Sequence, residues 1–449
     1  VGDVSLGAND GKLTLTAQVR ANKATVFATT GGIMMDAGSA ITTAAGATMT
    51  ADGDMLVTEI TASAMTSQTL LSATGALTDN SADEPTAGWN IDTFGLVELS
   101  AATIGTSLDG FDVRTDTLNA ITATDGATLL VASKTGTTML TKATVSDGRF
   151  ALVTSDNLEV AQSVRADELS VTAGGTITQQ EISKITTIGD LSLIAGGDIT
   201  LGSLQTTDGT ITLDASLTGY ILDGTVSEAT NITGLAPEAS LVLTGRGVGI
   251  RDMVAGATGA DPLVNVGDID LDIATVSNIM SGDGGIYLGS VRDLRLETVT
   301  STGEMELLIA AGDLTLAGQQ SVLRALIEIE AGALNQLDGT TLEATGATGA
   351  GRVTVTATND ISVSRITANN GDMSLVTTRG DIIDNSSVNG AGNENLVVTN
   401  GKLTELSADA IGNRCENGSL DVATTAVGDI TASSGNTFIS FTGVTDSLV

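Results

Sequence analysis

The stretch that decides the fold is residues 189–215, with the sequence GDLSLIAGGDITLGSLQTTDGTITLDA. Within it, residues 191–193, 199–201 and 211–213 each alternate an aliphatic residue with a small polar one. Alternation with a period of two is typical of β-strands, because successive side chains point to opposite faces. We therefore predict three short strands in this stretch, each with its aliphatic side chains on one face.

The segments between these strands predict a coil rather than a stack of hairpins. They contain Gly and Asp at 195–198 and 206–209, residue types that supply tight corners and positive φ. Hairpins join longer strands through two-residue loops, whereas strands of about three to five residues suit the flat sides of a coil. The interval from Leu191 to Ile211 predicts about 20 residues per coil. We predict a single right-handed parallel β-helix, or β-solenoid, with the hand taken from the rule for parallel crossovers.

The aliphatic residues of this stretch are predicted to point inwards and to stack on their equivalents one coil away, at roughly 4.8 Å. The predicted inward residues are Leu191, Leu193, Ile199, Leu201, Ile211 and Leu213, and the predicted outward residues are Ser192, Thr200 and Thr212. Composition agrees, because 41% of the chain is hydrophobic but only 2% is aromatic. Val, Ile, Leu and Ala fill a narrow tube well, whereas a compact globular core normally uses aromatic residues. At about 20 residues per coil, we expect roughly 20 or more coils in a rod on the order of 100 Å long.

Charge and residue usage exclude several classes of function. The formal net charge is −35, with no His and one Cys among 449 residues, so nucleic acids and anionic membranes would be repelled. The absence of His excludes Ser–His–Asp and Cys–His catalysis and removes the commonest zinc ligand. Because Cys415 is the only Cys, a disulfide framework is excluded, and we interpret this residue as a lone thiol. No run of about 18 apolar residues is present, so we expect no membrane insertion. A start at Val1 without Met or a signal peptide leads us to expect a segment of a longer precursor.

A short unit, Gly–Asp followed by an aliphatic residue (Met twice), recurs along the chain. It begins at Gly2, Gly53, Gly189, Gly197, Gly267, Gly312, Gly371, Gly380 and Gly428. We interpret each unit as a corner followed by a strand, with the aspartate forming an Asx-type turn.

A second repeat is much longer, at about 150 residues. The marker of this repeat is an aspartate that follows an aliphatic pair or an aliphatic–Thr pair, and it occurs at Asp79, Asp223 and Asp384. After each aspartate come a loop, a second strand and an aliphatic–Gly pair. The chain then divides into the second half of a repeat at 1–52, full repeats at 53–196 and 197–358, and a first half at 359–449. We expect all four to form one continuous solenoid.

Three arginines recur at a similar spacing and give a second marker. Arg20, Arg165 and Arg324 each follow a short strand pattern, and we interpret them as pairing at a corner or with a neighbouring coil.

The phase of the long repeat suggests how the chain connects to others. Because the half repeat at 359–449 is completed by the half repeat at 1–52, we predict that the ends pair with equivalent ends, in a tandem array or head to tail between subunits. Insertions are predicted at corners, where variable contacts are expected. They lie at 81–90, 227–238, 255–261, 389–395 and 413–419.

The chain resembles the filamentous-haemagglutinin type of giant secreted bacterial β-helix protein in three features. These are the stretch at 189–215, the Gly–Asp recurrence, and the block formed by 248–249, 261–264, 269–271 and 285–288. This resemblance spans nearly the whole chain. It implies an extracellular or cell-surface location and a role as an adhesin or structural fibre.

Together these observations predict a non-catalytic structural segment or subunit of an extracellular fibre or cell-surface filament. Its expected partners are itself, the rest of a longer chain, or other surface and matrix components. One alternative is an adhesin shaft that binds cell or matrix glycans. Another is a polysaccharide-processing β-helix enzyme, in which carboxylates on successive coils would align.

We predict no catalytic, cofactor-binding or metal-binding residues. Calcium at the Gly–Asp corners is the alternative for a cofactor, but the Gly-Gly-x-Gly-x-Asp pattern of calcium β-rolls is absent. Trp89 is the only Trp in the chain. We interpret it as a packing residue, with a carbohydrate platform as the alternative.

Overall fold

The computed structural model describes residues 2–80, 88–225, 229–250, 267–347, 349–387, 392–412 and 418–442. Over these ranges the chain is all-β, with 49 strands and no helix. It divides into two compact units, Val1–Thr212 and Leu213–Val449, called the first and second unit below. In each unit the described residues form the stacked parallel coils of a β-solenoid, with about 18 turns in the two units together and roughly 22 residues per turn. The predicted fold class is confirmed.

Most strands are three to six residues long. Those of the first unit are β1 (Val4–Ala8), β2 (Leu13–Leu15), β3 (Val19–Ala21), β4 (Ala24–Ala28), β5 (Ile33–Met35), β6 (Ile41–Thr43), β7 (Ala47–Ala51), β8 (Met55–Val57), β9 (Ile60–Ala62), β10 (Gln68–Ala73), β11 (Ala76–Asp79), β12 (Ile91–Thr93), β13 (Leu96–Ala101), β14 (Thr103–Ile104), β15 (Phe111–Arg114), β16 (Thr117–Ala123), β17 (Ala127–Ala132), β18 (Thr137–Val145), β19 (Arg149–Thr154), β20 (Asn157–Ala166), β21 (Glu168–Ala173), β22 (Ile177–Gln179), β23 (Lys184–Thr187), β24 (Leu191–Ala195), β25 (Ile199–Leu201) and β26 (Ser203–Thr206).

The division between the units falls within β27 (Thr210–Asp214). The strands of the second unit are β28 (Tyr220–Asp223), β29 (Ile232–Gly234), β30 (Ser240–Val248), β31 (Ile269–Asp272), β32 (Thr275–Ser290), β33 (Leu294–Ser301), β34 (Glu304–Ile309), β35 (Leu314–Leu316), β36 (Gln319–Val322), β37 (Arg324–Ile329), β38 (Leu334–Gln336), β39 (Thr341–Ala344), β40 (Val353–Ala357), β41 (Ile361–Val363), β42 (Ile366–Asn369), β43 (Met373–Thr377), β44 (Ile382–Asp384), β45 (Leu396–Thr399), β46 (Leu403–Ala408), β47 (Leu420–Ala423), β48 (Val427–Ala432) and β49 (Ile439–Thr442).

Three strands make one coil in much of each unit. In the first unit, β21, β22 and β23 pair in parallel with β24, β25 and β26, the three strands that follow. In the second unit, β37, β38 and β39 pair in the same way with β40, β41 and β42. Aliphatic residues are therefore stacked in columns, as Leu169 is on Leu191.

The core consists of the inward residues of these strands. All six predicted inward residues of the opening stretch are fully buried, at 0% exposure. The predicted outward residues Ser192, Thr200 and Thr212 are half-buried rather than exposed. This follows from the stacking, because outward side chains of adjacent coils lie only about 4.8 Å apart and cover one another.

The mean of roughly 22 residues per turn lies slightly above the predicted period of about 20. Some coils do have it, since Val4 pairs with Ala24, but Thr69 pairs with Val97. Corner loops lengthen individual coils, and bulges such as the register shift between Val97 and Glu98 add single residues. Loops and bulges raise the mean, while the strands on either side of them stay paired in parallel. The hand of the coil and the bounds of the long repeats stay predictions.

At several Gly–Asp corners the aspartate side chain binds the next coil instead of forming the local Asx-type turn that we predicted. Several of the aspartates accept a hydrogen bond from a backbone N–H one coil further on. The acceptor–donor pairs are Asp54–Ala76 (2.9 Å) and Asp190–Thr210 (2.8 Å) in the first unit, and Asp313–Ala333 (2.8 Å) and Asp372–Lys402 (2.9 Å) in the second. These side chains therefore link one coil to the next, a role that the sequence pattern within one strand cannot reveal.

Several predictions concern residues outside the described part of the chain. These are Cys415, the predicted insertion at 255–261, the residues 261–264 used for the resemblance, and parts of the other four insertions, namely 81–87, 227–228, 389–391 and 413–417.

Candidate functional site

Three corners share an arrangement of Asp, Asn and Asp, and we call them Asp–Asn–Asp corners. In each, the first Asp ends a strand (β11, β28 or β44), the Asn immediately precedes the next strand (β12, β29 or β45), and the second Asp lies in β15, β31 or β47 of the following coil. The first corner, in the first unit, is Asp79, Asn90 and Asp112; the second unit contains the second corner, Asp223, Asn231 and Asp270, and the third corner, Asp384, Asn395 and Asp421.

The asparagine of the first corner joins three successive coils. Asn90 is completely buried. Its Nδ2 donates to Oδ1 of Asp79 (2.5 Å) and to the carbonyl oxygen of Val57 in the preceding coil (3.0 Å), and its Oδ1 accepts from the N–H of Asp112 in the following coil (2.8 Å). Because a buried amide is costly to leave without partners, these bonds hold the ends of the loop between Asp79 and Asn90 together.

The same bonds recur at the other two corners, whose asparagines are also completely buried. Nδ2 of Asn231 donates to Asp223 (2.7 Å) and its Oδ1 accepts from the N–H of Asp270 (2.9 Å). Nδ2 of Asn395 donates to Asp384 (2.7 Å), and its Oδ1 accepts from the N–H of Asp421 (2.8 Å).

In each corner, a glycine with positive φ lies between the asparagine and the second aspartate in the chain. Gly105, Gly249 and Gly412 have φ of 63°, 69° and 72°, in the left-handed region that favours glycine. Their N–H groups donate to carbonyl oxygens of the preceding coil, at Leu77, Ile221 and Ile382. These are the glycines of the aliphatic–Gly pairs seen in the sequence, so the structure supports a tandem repeat. Sequence reasoning found the first Asp and this Gly, but it missed the role of Asn90, Asn231 and Asn395.

The first corner carries an unusual carboxylate. Asp112 is only 6% exposed, and its Oδ1 has no hydrogen-bond partner. Burial, together with the negative charges of Asp79 and Asp109, raises the pKa of Asp112 to about 6. In the third corner, Oδ1 of Asp384 accepts from Ser386 and Asn395, while its Oδ2 is buried without a partner.

The outer face of the first corner holds two cations and two aromatic rings. Arg114 donates from Nε (3.0 Å) and Nη2 (2.5 Å) to Asp92, and its guanidinium carbon lies 5.9 Å from the centroid of the Trp89 ring. Lys134 also pairs with Asp92, and its Nζ lies 4.2 Å from the centroid of the Phe94 ring. Burial of Asp92 opposes ionisation, but the hydrogen bonds from the two cations outweigh it and lower the pKa of Asp92. Trp89 thus lies beside the guanidinium of Arg114, and its role in packing stays a prediction.

A polar depression of about 260 Å³ lies beside the third corner, in the second unit. Its lining includes Asp338, Thr340, Ser364, Arg365, Ser386 and Ser387, and no aromatic residue is part of it within the described chain. Asp338 accepts from the N–H of Ser387 (3.0 Å), and bonds from Ser387 lower the pKa of this aspartate. Arg365 donates to the carbonyl oxygen of Gly392 (3.0 Å).

The three arginines of the second marker do not share one role. Arg324 forms an ion pair with Glu304 of the neighbouring coil, as predicted. Arg20 and Arg165 are exposed, and neither forms an ion pair within the described ranges. Arg324 begins the first strand of its coil, whereas Arg20 lies in the third strand. Arg324 therefore does not occupy the same position in the coil as Arg20.

No protein-family model, curated protein or solved structure matches this chain. The described residues contain no group of three or more His, Cys, Asp or Glu that could hold a metal ion. They also include no helix long and apolar enough to cross a membrane. The class that the chain itself defines is a β-solenoid protein with a tandem repeat.

Proposed function

We propose that this chain is a non-catalytic structural segment of an extracellular or cell-surface fibre, of the filamentous-haemagglutinin type. Support comes from the build of each unit, where parallel strands stack and aliphatic columns form the core. Such a core can continue from coil to coil without a ligand, because each coil buries its inward residues on the next.

The observation that carries the proposal is the incomplete burial of the outermost described coils. In the first unit, the inward Leu6 is only half-buried, while its partner Val26 one coil further is 1% exposed. In the second unit, the inward Phe441 is only half-buried, while its partner Val422 is 0% exposed. An outermost coil also presents strand edges that attract further strands. A further coil, from the same chain or from another copy, would cover both features.

An assembly experiment tests this proposal. We expect the purified chain to form filaments or end-to-end oligomers as its concentration rises, seen by electron microscopy and light scattering. Leu6→Asp should reduce assembly because it puts a charge on the outermost core position. Ser5→Asp, on the outward face of the same strand, is the matched control and should assemble normally. A chain that stays monomeric at all concentrations would contradict pairing between separate subunits, and images of native material without filaments would contradict the fibre itself.

The second candidate function is an adhesin that binds glycans, and the polar depression beside the third corner favours it. Hydroxyl groups of Thr340 and Ser364, with the carboxylate of Asp338 and the guanidinium of Arg365, are groups that hydrogen-bond sugar hydroxyls. A glycan array tests this candidate. Binding that Asp338→Ala abolishes would support it, and an array without hits would count against it.

A further inference from the structure

We propose that the carboxylates of Asp79 and Asp112 in the first corner bind a divalent cation of the Ca²⁺ class. The proposal is independent of the fibre function, because it concerns the chemistry of one corner. It starts from a carboxylate that the fold buries without giving both of its oxygens a partner.

The backbone fixes Asp112 in this position. Its neighbours Phe111 and Val113 are 0% exposed and belong to the core, so Asp112 points towards the outer side of the coil. Its N–H is held by Asn90 (2.8 Å). Even so, only 6% of Asp112 is exposed, and its Oδ1 has no hydrogen-bond partner. The carboxylate therefore faces the interior of the corner rather than bulk water.

The groups that surround Asp112 make the corner negative. Asp79, whose Oδ1 accepts from Asn90, and Asp109 both act on Asp112 electrostatically. The nearby cations Arg114 and Lys134 do not offset these charges, because both pair with Asp92.

A buried, unpartnered carboxylate is costly when ionised, so it either holds a proton or gains a counter-ion. Ca²⁺ prefers carboxylate and carbonyl oxygens and completes its shell with water. Two carboxylates with water would give weak binding, with a dissociation constant on the order of 1 mM, as in extracellular modules. The third corner also contains a buried carboxylate oxygen without a hydrogen-bond partner, namely Oδ2 of Asp384.

Terbium luminescence tests the site directly, since Tb³⁺ replaces Ca²⁺ and emits when a nearby tryptophan transfers energy to it. Trp89 is the only Trp of the chain and precedes Asn90 directly. Excitation at the red edge of tryptophan absorption therefore reports on the first corner. At neutral pH we expect sensitised emission that Ca²⁺ displaces, and Trp89→Phe should abolish it.

Two matched variants decide the outcome. Asp112→Asn keeps the shape of the side chain and should raise the Tb³⁺ concentration needed for half-maximal emission at least about tenfold, because it removes one of the two charged ligands. Asp147→Asn removes the same charge from an exposed corner of the same unit and should leave the emission unchanged. Far-UV circular dichroism and the melting temperature check that both variants fold.

Three results would overturn the proposal: no sensitised emission with millimolar Tb³⁺, emission that persists in Trp89→Phe, or emission that is as strong in Asp112→Asn as in the parent chain. The last result would mean that ions bind to other carboxylates near Trp89.

Discussion

The first and third Asp–Asn–Asp corners share an interior and differ in surface. In both, a completely buried asparagine binds the Asp that ends one strand and the N–H of an Asp in the following coil. The residue before the asparagine is Trp89 in the first corner and Glu394 in the third. Trp89 lies beside Arg114, whereas Glu394 accepts from the N–H of Gly392 (3.1 Å).

This comparison indicates that one backbone frame can present different surface chemistry. Within the described residues, the bonds of Asn90 and Asn395 reach backbone groups, the adjoining Asp and, at the third corner, a nearby Ser. These bonds place no demand on the residue before each asparagine. That residue and its outward neighbours are free to differ. Such corners are the natural places in a solenoid for contacts that vary from one repeat to the next.

The largest expected effect comes from removing the shared interior. Asn90→Ala and Asn395→Ala should each destabilise their own unit by about 3 kcal/mol or more, because several buried polar groups lose partners at once. Hydrogen exchange at Asp112 or Asp421, together with denaturant unfolding, measures the effect. Asn119→Ala is the control, since the half-buried Asn119 has a single side-chain bond, to Glu98. Equal losses of stability in all three variants would show that the asparagine bonds of the corners stabilise the fold no more than the single bond of Asn119.

Asp112→Asn should act in the opposite direction in a metal-free buffer with chelator. The pKa of Asp112 is about 6 in the folded chain against an ordinary value of 3.8, so the folded state binds the proton more tightly. Stability therefore falls as pH rises from about 4 to about 6 and stays lower above that. At pH 7.5 we expect the variant to be about 2 kcal/mol more stable, with a flatter pH profile. A loss of stability in Asp112→Asn, with Asp147→Asn unchanged, would contradict this.

A smaller effect is expected on the surface of the first corner. Arg114→Ala should cost about 1 kcal/mol, since it removes a half-exposed ion pair and a contact with an aromatic ring. The fluorescence of Trp89 should shift to the red as water reaches its ring. Arg20→Ala, at an exposed position, should change neither property. An unshifted emission in Arg114→Ala would mean that Arg114 does not cover Trp89.

The smallest effect is expected on the surface of the third corner. The hydrogen bond from Gly392 lowers the pKa of Glu394. The stability that the ionised Glu394 adds to the folded state is therefore fully present above the ordinary pKa and is lost as the pH falls through the lowered pKa. Glu394→Gln should therefore cost only a few tenths of a kcal/mol at pH 7 and nothing in acid. Thermal unfolding at both pH values measures this. A cost that is larger in acid would contradict the assignment.

The strand pattern of this protein was predictable because it is local. Alternation in residues 189–215 identified Leu191, Leu193 and Ile199 as core residues, and all are fully buried. The Asp of each long repeat was also found, since Asp79 and Asp384 sit in similar local sequences. The length of individual coils was harder to predict, because corner loops and bulges change it without changing the pattern within a strand.

The sequence by itself determined that the chain is built from short strands with aliphatic interiors, because alternation and Gly-containing corners act over a few residues. Only the tertiary structure decided what the polar residues do. Asp54 was expected in a local turn but binds Ala76 one coil further on, and Asn90 joins groups that lie up to 33 residues away. Stacking brings these groups together. The burial that makes Asp112 unusual likewise arises from coils that are adjacent in space and distant in sequence.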